Sequence, residues 1–391
     1  MAEVLVAMSG GVDSAVAAAL LVEQGHRVTG VHLRLAELPV AEQLPGHGCC
    51  TLDDAQDARR AAQVLGIPFY VWDLSASFRA EVEAPFAAAY AAGETPNPCA
   101  SCNERVKYAA LLDQALALGF DAIATGHHAR LRRDRRPVTR PGPGVRLHRA
   151  ADATKDQSYV LHMATPRQLA HTLLPVGELT KPEVRRRAAD LGLRVASKPD
   201  SYEVCFVPDG DTAGYLAARL PRSPGPIVDL DGTVLGRHDG VWRFTVGQRR
   251  GLGLDHHERR FVVDLDDERS AVVVGSRAAL ECRWVEVAAP TWTTGTMPTG
   301  PVRIQVRAHG RTVPGRIRPT GEGKVRFELG EPFEGVAVGQ AAVVYDRHDE
   351  VCLGGGRIIR AERPAALPVV GAVADRDPSP ARCGPRRGGG G

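Results

Sequence analysis

Along the first third of the chain, short apolar runs alternate with segments whose apolar residues recur every three or four positions. The runs EVLVAM (3–8), HRVTGVHLRL (26–35) and IPFYVWDL (67–74) predict strands, and the segments 14–24 and 53–66 predict helices that end at glycine. Strands that alternate with helices are typical of a doubly wound parallel sheet, in which the carboxyl ends of the strands meet at one edge and bind ligands there.

The pattern changes after about residue 206, where helical periodicity fades and short Val-rich runs separated by Gly, Pro and Asp take over. Such runs predict small β-rich modules. We therefore expect an α/β domain over 1–211, a small central β-rich domain over 212–277 and a C-terminal β-barrel-like domain over 278–363. The Pro-, Gly- and Arg-rich residues 364–391 are typical of a disordered tail.

Composition narrows the class of protein. The start of the chain lacks a signal-type segment and no apolar run reaches transmembrane length, so we expect a soluble cytoplasmic protein without a membrane partner. Without export signals, the eight cysteines do not predict a framework of structural disulfides, and the question becomes which thiols react. The net charge of +3 does not by itself predict nucleic-acid binding; the distribution of charge matters more.

The stretch SGGVDS (9–14) lies between the first predicted strand and the first predicted helix. Backbone N–H groups of a glycine turn at a helix N-terminus bind anions, and the hydroxyls of Ser9 and Ser14 add donors. Asp13 repels a phosphate, so we expect it to orient the loop or to help hold magnesium. The alternative is an ordinary strand–turn–helix connection that Ser or Asp caps. The stretch is neither a Walker A loop nor a dinucleotide fingerprint.

Two cysteines lie in contexts that bear on reactivity. Cys102 follows an Asn-Pro turn at the predicted start of a helix, close to basic residues, where the thiolate is favoured. Cys99 lies three residues earlier, but no second pair of ligands completes a zinc site. Cys205, taken alone, is typical of a buried inert thiol. The remaining cysteines are expected to be ordinary loop or core thiols: Cys49, Cys50, Cys282, Cys352 and Cys383.

Positive charge is concentrated in three segments. Residues 130–149 hold eight arginines and predict a loop or hairpin at the ligand-binding edge of the sheet. Residues 181–198, with six Lys and Arg, are typical of a solvated face. In 302–311 (VRIQVRAHGR), strand alternation places the aliphatic residues on one face and the polar and basic residues on the other. A strand with a basic outer face suits a nucleic-acid phosphate backbone.

The motifs together resemble a known family. SGGVDS resembles the PP-loop of the N-type ATP pyrophosphatases, which use ATP to adenylate an oxygen and release pyrophosphate. From Val4 to about Gly356 the chain resembles the bacterial tRNA-specific 2-thiouridylases, which thiolate the wobble uridine of certain tRNAs. The motifs that carry this resemblance are SGGVDS, TPNPCASCN, ATGHHAR, TKDQSYVL, PVGELTKPEVR, VCFVPDG, TVGQRRGLG and CLGGG.

The resemblance implies a reaction. Uridine O2 attacks the α-phosphate of ATP, with magnesium present, and Cys205 carries a persulfide supplied by a cysteine desulfurase or sulfur-relay protein. Cys102 either attacks the persulfide to free hydrosulfide or serves as acid and base, and turnover can leave a Cys102–Cys205 disulfide. The implied ATP-binding residues are Ala7, Met8, Ser9, Gly10, Gly11, Val12, Asp13, Ser14, Leu33 and Gly126.

The resemblance also implies tRNA contacts. Arg311 stands in for an Arg-Tyr pair that the family usually carries near this position, and His127 or His128 braces the target base, unless each is an ordinary strand-end histidine. Cys99, Cys102 and Cys205 together also suggest an iron–sulfur cluster. The implied contacts with the base or the RNA are Asn97, Pro98, Cys99, His127, Lys155, Asp156, Gln157, Arg311 and Gln340.

Two alternatives remain open. One is another PP-loop ATP pyrophosphatase that adenylates a small metabolite, which would need neither Cys102 nor Cys205 nor the basic strand. The other is a non-catalytic, nucleotide-responsive RNA-binding protein, against which the presence of Asp13 and both thiols argues. AMP formation that depends on tRNA distinguishes the thiolating enzyme from both.

Overall fold

A computed structural model describes residues 1–35, 52–200, 204–207, 210–254 and 259–362. The first domain is built on five parallel strands in the order β3-β2-β1-β4-β8. Their carboxyl ends share one edge, as the pattern predicted. The strands are β1 (Glu3–Ala7), β2 (Arg27–Arg34), β3 (Phe69–Asp73), β4 (Ala122–Ala124) and β8 (Thr172–Leu173).

Helices cover this sheet. α1 is apolar on nearly all sides because it is buried between the sheet and its neighbouring helices. The predicted helices at 14–24 and 53–66 are confirmed within two residues. The α-helices are α1 (Val12–Glu23), α2 (Leu52–Leu65), α3 (Ser75–Phe78), α4 (Ala84–Ala91), α5 (Pro98–Ser101), α6 (Leu112–Ala117), α7 (Pro166–Ala170), α8 (Lys181–Asp190) and α9 (Thr212–Ala217).

Other helical types fill the connections. The segment after α5, predicted as a helix, is a π-helix that begins at Cys102. The π-helices are Arg79–Glu83 and Cys102–Leu111, and the 3-10 helices are Ser158–Leu161, Pro175–Glu178, Arg194–Ser197, Val241–Arg243 and Arg277–Leu280.

The central module is a four-stranded sheet in the order β10-β9-β12-β11. Its apolar residues form two small clusters, the second of which also includes Ala337 of the C-terminal domain and so joins the module to the barrel. The strands are β9 (Gly225–Val228), β10 (Val234–His238), β11 (Phe261–Asp266) and β12 (Ala271–Gly275).

The C-terminal domain is a closed six-stranded barrel in the order β13-β16-β15-β14-β17-β18, because β13 also pairs with β18. The α/β domain, the central β module and the barrel confirm the predicted fold class. The strands are β13 (Glu281–Trp292), β14 (Val302–Gln305), β15 (Val313–Gly321), β16 (Lys324–Glu334), β17 (Ala341–Tyr345) and β18 (Val351–Ala361).

The arginine-rich segment 130–149 forms a hairpin, as expected, and extends the barrel sheet. It contains β5 (Arg130–Arg133), β6 (Arg136–Pro137) and β7 (Arg146–His148), and β7 pairs with β18. This hairpin of the first domain and the barrel therefore form one continuous sheet, separate from the parallel sheet.

The predicted strand over 302–311 is wrong beyond its first four residues. β14 ends at Gln305, whose buried side-chain amide donates to the carbonyls of Arg307 and Ala308 and so stabilises a turn. The Arg303 side chain donates to Thr312. The segment therefore does not present a continuous basic face.

A half-buried polar network fixes the barrel to the first domain. The Arg149 guanidinium donates to Asp156 at 2.6 Å and to Asp349 at 2.8 Å. It also stacks on the Tyr345 ring, 3.7 Å from the ring centroid. This network holds the segment after β7 in a defined position.

Within the described residues, no helix combines the length and the apolar character that crossing a membrane requires. The tail predicted at 364–391 and the residues Cys49, Cys50 and Cys383 lie outside the described part of the chain.

Candidate active site

The SGGVDS loop connects β1 to α1 at the ligand-binding edge of the sheet. Gly11 is the N-cap residue of α1 and offers no side-chain oxygen, so the first N–H groups of the helix are available to an anion. The Ser14 hydroxyl accepts from Ser9 N at 3.2 Å and donates to Gly11 O at 3.1 Å, which stabilises the turn. The geometry favours an anion site over a connection that Ser or Asp caps.

Two glycines allow close backbone contacts around this loop. Gly10 has φ of +80°, and a Cβ there would lie 2.3 Å from the carbonyl oxygen of Asp54. At Gly126, just after β4, a Cβ would lie 2.6 Å from the backbone nitrogen of Ser14. Side chains at either position would push the loop out of place.

Asp13 faces a lysine that the sequence did not single out. Lys181 Nζ lies 2.7 Å from both carboxylate oxygens of Asp13, and His128 Nε2 lies 3.1 Å from one of them. Burial opposes ionisation of Asp13, but the hydrogen bonds from His128 and Lys181 outweigh it and lower its pKa. Asp13 is therefore an ionised group that orients a buried lysine.

Asp200 binds the other side of the same lysine. Lys181 Nζ lies 2.8 Å from Asp200, which also pairs with Lys155 at 2.8 Å and Arg185 at 2.7 Å. Burial opposes ionisation here too, but the hydrogen bonds from Lys155 and Lys181 lower the pKa of Asp200 to about 2. Lys181 thus lies between two carboxylates, and only 9% of its side chain is exposed.

Lys198 ties the loop to α2. Its Nζ donates to Gly10 O at 3.1 Å, to Asp54 at 2.7 Å and to Asp57 at 2.8 Å. Burial lowers the pKa of Lys198, but the hydrogen bonds to the two carboxylates more than compensate and raise it. The charged Lys198 side chain therefore holds the backbone of the loop against α2.

The expectation that residues 181–198 form a solvated face is wrong for Lys181 and Lys198. A sequence signal was available in the capping box of Thr180 and Glu183, which fixes Lys181 as the first residue of α8. Its backbone N–H donates to Asp152, so the start of the helix is anchored beside the loop.

The residues around Asp13 do not fit magnesium in this arrangement, because both carboxylate oxygens already accept from Lys181. The thiols do not fit a cluster either. Across the described ranges, no group of three His, Cys, Asp or Glu side chains is placed to hold a metal ion, and this covers the set of Cys99, Cys102 and Cys205.

Cys102 and Cys205 lie in an apolar part of the first domain. Asn97 caps α5 by accepting a hydrogen bond from Ala100 N at 3.1 Å. Cys99, in this helix, is exposed, whereas Cys102, three residues later, is buried. Cys102 belongs to a large apolar cluster, and the half-buried Cys205 packs against the same cluster.

Phe206 anchors the Cys205 segment in that cluster. Its ring makes edge contacts with Phe78, Phe86 and Tyr215, with centroids 5.5, 5.2 and 5.6 Å apart. The π-helix that follows α3 contacts the π-helix that starts at Cys102. The structure therefore brings the two cysteine segments to one core.

The barrel holds the segment that precedes Cys99. The Gln340 amide donates to Thr95 O at 2.8 Å, and Thr95 N donates to Val338 O at 2.8 Å. An ion pair joins Arg357 to Glu94. Gln340, predicted at the RNA surface, thus positions the Asn97–Cys99 turn, and Pro98 is the first residue of α5.

Side chains of the TKDQ segment (154–157) form hydrogen bonds and ion pairs with other residues of the protein. Asp156 has 8% of its side chain exposed and pairs with Arg149. Gln157 accepts from His128 N at 2.8 Å, and its own N–H donates to His128 O at 2.7 Å. These contacts position the segment beside Asp13, and contact of the segment with tRNA stays a prediction.

His127 and Arg311 differ in environment. Burial, with the positive charges of Lys107 and His128, holds the pKa of His127 well below its usual value, so it is neutral near pH 7. Arg311 is exposed on the barrel and pairs with Glu331 at 2.8 Å. Among the implied ATP residues outside the loop, Leu33 is buried near the carboxyl end of β2.

The two barrel cysteines are packing residues. Cys282 is buried and its thiol donates to Trp284 O at 3.1 Å. Cys352 is fully buried, and burial raises its pKa to about 12, which keeps it a neutral thiol. Neither environment favours a nucleophile.

Three family models match the chain in succession. They are described as a tRNA methyl transferase HUP domain over residues 2–209, a tRNA methyl transferase PRC-barrel domain over 213–276 and an aminomethyltransferase beta-barrel domain over 282–358. Together they cover the α/β domain, the central module and the barrel.

Curated relatives match over nearly the whole chain. The tRNA-specific 2-thiouridylase MnmA of Salinispora arenicola is 51% identical over 364 residues, which cover 91% of this chain and 98% of the relative. The proteins of the same name from Acidothermus cellulolyticus and Thermobifida fusca are 51% and 50% identical, covering 93% and 92% of this chain and 99% and 96% of theirs. The chain belongs to the tRNA-specific 2-thiouridylase family.

Proposed function

We propose that the chain is a tRNA-uridine 2-sulfurtransferase that uses ATP to replace O2 of the wobble uridine with sulfur, in tRNAs of the Lys, Glu and Gln type. The observation that carries this proposal is the 51% identity to a named 2-thiouridylase across 91% of the chain. The family models name methyl transfer, but the full-length relatives name thiolation, and the two thiols that thiolation needs share one apolar cluster.

ATP binds at the SGGVDS loop in this proposal. The backbone N–H groups at the start of α1 receive the phosphates, as glycine turns at helix N-termini do. Lys181, oriented by Asp13 and Asp200, exchanges one of these carboxylate contacts for the α-phosphate when ATP binds, and its charge stabilises that phosphate during attack by uridine O2. The loop from Ala7 to Ser14 binds ATP, and Leu33 and Gly126 line the adenosine side. Magnesium enters with ATP, and no protein ligand is assigned to it.

Sulfur transfer takes place at the cysteine cluster. Cys205 carries a persulfide whose outer sulfur comes from a cysteine desulfurase or a relay protein. The Cys102 thiolate attacks the inner sulfur, a Cys102–Cys205 disulfide forms, and hydrosulfide leaves. Hydrosulfide attacks C2 of the adenylated uridine, and AMP departs with the former O2. The apolar surroundings keep water from competing with the hydrosulfide.

The tRNA reaches both clusters in this scheme. Asn97, Pro98 and Cys99 contact the target base, and Lys155, Gln157 and Arg311 contact the RNA. His127, being neutral, contacts the base as a hydrogen-bonding or stacking group and not as a cation. The reaction requires the base to leave the anticodon stack, and we place the enzyme in the cytoplasm, where tRNA is available.

The test combines purified protein, magnesium ATP, a cysteine desulfurase with cysteine, a dithiol reductant and unmodified tRNA transcripts for Glu, Gln and Lys. Digested tRNA is analysed by mass for 2-thiouridine, and AMP is counted in the same reaction. We expect thiolated wobble uridine and AMP formation that depends on tRNA. AMP that forms without tRNA supports adenylation of a small metabolite, and no AMP with any tRNA supports a non-catalytic RNA binder.

A further inference from the structure

We infer that Cys99 is a third redox cysteine, which takes over the disulfide left on Cys102 and exposes it to a dithiol reductant. This inference rests on the proposed function, because turnover must first oxidise Cys102. The observation behind it is a contrast within one helical turn: Cys99 is exposed, and Cys102, three residues later, is buried.

A disulfide between Cys102 and Cys205 is poorly placed for reduction. Cys102 lies within the apolar cluster, and Cys205 packs against that cluster beside the anchored ring of Phe206. Thiol–disulfide exchange requires a thiolate to reach one sulfur of the disulfide, so its rate depends on access. A protein dithiol in solution cannot reach the buried Cys102 sulfur directly, and its attack on the half-buried Cys205 sulfur would occupy the thiol that must receive the next persulfide.

Cys99 can reach Cys102 from within the chain. Residues three apart on a helix have Cβ atoms about 5–6 Å apart, and a disulfide needs about 3.5–4.5 Å. A small adjustment of the first turn closes that gap. The Asn97 cap and the hydrogen bond from Gln340 to Thr95 anchor only the start of the turn, so Cys99 can move while the segment before it stays in place.

The step is an exchange without net oxidation. The Cys99 thiolate attacks the Cys102 sulfur, a Cys99–Cys102 bond forms, the Cys102–Cys205 bond breaks, and Cys205 leaves as a thiolate ready for the next persulfide. A dithiol reductant then supplies two electrons, reduces the exposed Cys99–Cys102 disulfide and becomes a disulfide itself. Cys205 is thereby regenerated before the external reductant acts.

The chain offers a direct readout of disulfide position. Trypsin releases residues 80–105 as one fragment that contains both Cys99 and Cys102, whereas Cys205 lies in a different fragment that ends at Arg219. A Cys99–Cys102 disulfide therefore appears as a fragment two hydrogens lighter, and a Cys102–Cys205 disulfide appears as a cross-link between two fragments. Excess enzyme is reacted once with tRNA without reductant, quenched with an alkylating agent and digested.

We expect the wild type to yield the Cys99–Cys102 disulfide with alkylated Cys205, and Cys99→Ser to yield the cross-linked fragments. We also expect the ratio of steady-state rate to first-turnover rate, with a thioredoxin-type dithiol, to fall at least about tenfold in Cys99→Ser. Ala100→Ser, in the same turn, should keep the wild-type ratio. Using a ratio removes any effect of Cys99 on tRNA binding.

The inference is overturned if the wild type accumulates the Cys102–Cys205 cross-link, or if Cys99→Ser keeps the wild-type ratio. Failure of the proposed function looks different: the wild type then forms no 2-thiouridine in the first turnover, and the inference falls with it. A first turnover that yields 2-thiouridine but leaves Cys99 alkylated contradicts the inference alone.

Discussion

Around Asp13 and around Cys102, the same domain builds two clusters of opposite chemistry. In the first cluster, Lys181 lies between two ionised carboxylates, and Lys198 donates to the carbonyl of Gly10 in the loop. This cluster is therefore a set of fixed charges. The second is apolar, with thiols embedded among aromatic and aliphatic side chains. One domain thus combines groups that stabilise charge with groups that exclude water.

The difference matches the two halves of the proposed reaction. Adenylation moves negative charge on a phosphate, and fixed cations stabilise that charge without reorganising. Sulfur transfer needs a reactive sulfur protected from water and from stray thiols. The comparison predicts that substitutions in the two clusters affect different products, AMP in one case and 2-thiouridine in the other.

The largest expected effect is that of replacing Cys205, which should separate adenylation from sulfur transfer. Cys205→Ser should reduce 2-thiouridine formation by more than about 10³-fold, because a hydroxyl cannot carry a persulfide. AMP formation that depends on tRNA should persist. Cys282→Ser is the matched control, since its hydroxyl can keep the hydrogen bond to Trp284. Normal thiolation by Cys205→Ser would show that sulfur takes another route.

In the charged cluster, Lys181→Met should instead reduce AMP formation. It removes the cation that Asp13 and Asp200 orient, so AMP formation should fall about 10²- to 10³-fold. Loss of one partner from this buried group should also lower the free energy of unfolding by about 3–5 kcal/mol.

Arg187→Met is the control on the same helix. Arg187 pairs with Glu23 at the surface, where a salt bridge contributes about 0–1 kcal/mol. Lys181→Arg, which keeps the charge, distinguishes a catalytic effect from a folding defect. Wild-type AMP formation in folded Lys181→Met would remove Lys181 from the chemistry.

A third prediction concerns pH. Because folding lowers the pKa of Asp200 from 3.8 to about 2, its ion pairs stabilise the fold above about pH 4 by roughly 2 kcal/mol. This stabilisation is lost as the pH falls through the folded pKa. Asp200→Asn lacks it, so the difference in free energy of unfolding between wild type and variant should shrink between about pH 5 and pH 2. Urea denaturation measures it, and a constant difference would contradict the assignment.

The smallest expected effect lies outside both clusters. Arg311 is exposed and pairs with an exposed Glu331, so Arg311→Gln should leave the midpoint of thermal unfolding nearly unchanged. Its affinity for tRNA should fall a few-fold, and the dependence of log K on log salt should flatten by roughly one phosphate contact. Binding by filter retention at several salt concentrations tests this. An unchanged salt dependence would show that Arg311 does not contact phosphate.

Much of the architecture followed from local sequence. The strands and helices of the first domain were predictable because the spacing of apolar residues and the glycines that end the helices, Gly25 and Gly66, indicate the same boundaries. The strand over 302–311 failed because alternation continued in the sequence after the backbone had turned at Gln305. Periodicity records which residues favour a strand, not which hydrogen bonds compete with it.

The candidate site was predictable only in part. The loop and the two cysteine segments carry local motifs, so they stood out. Lys181 and Lys198 did not, because a lysine in a basic run looks the same whether it is solvated or buried. Two of their partners lie far away in sequence: Asp13 is 168 residues from Lys181, and Asp54 is 144 residues from Lys198. Only the folded chain shows that these charges are paired.

The most direct test of the link between the two clusters follows the oxygen atom. Wild-type protein is reacted with a tRNA whose wobble uridine carries ¹⁸O at O2, and the AMP released is weighed. If the charged cluster adenylates O2 and the cysteine cluster displaces it, the AMP carries the heavy oxygen in equal amount to the 2-thiouridine formed. AMP without the heavy oxygen would show that ATP is cleaved without activating the base, and would contradict the account.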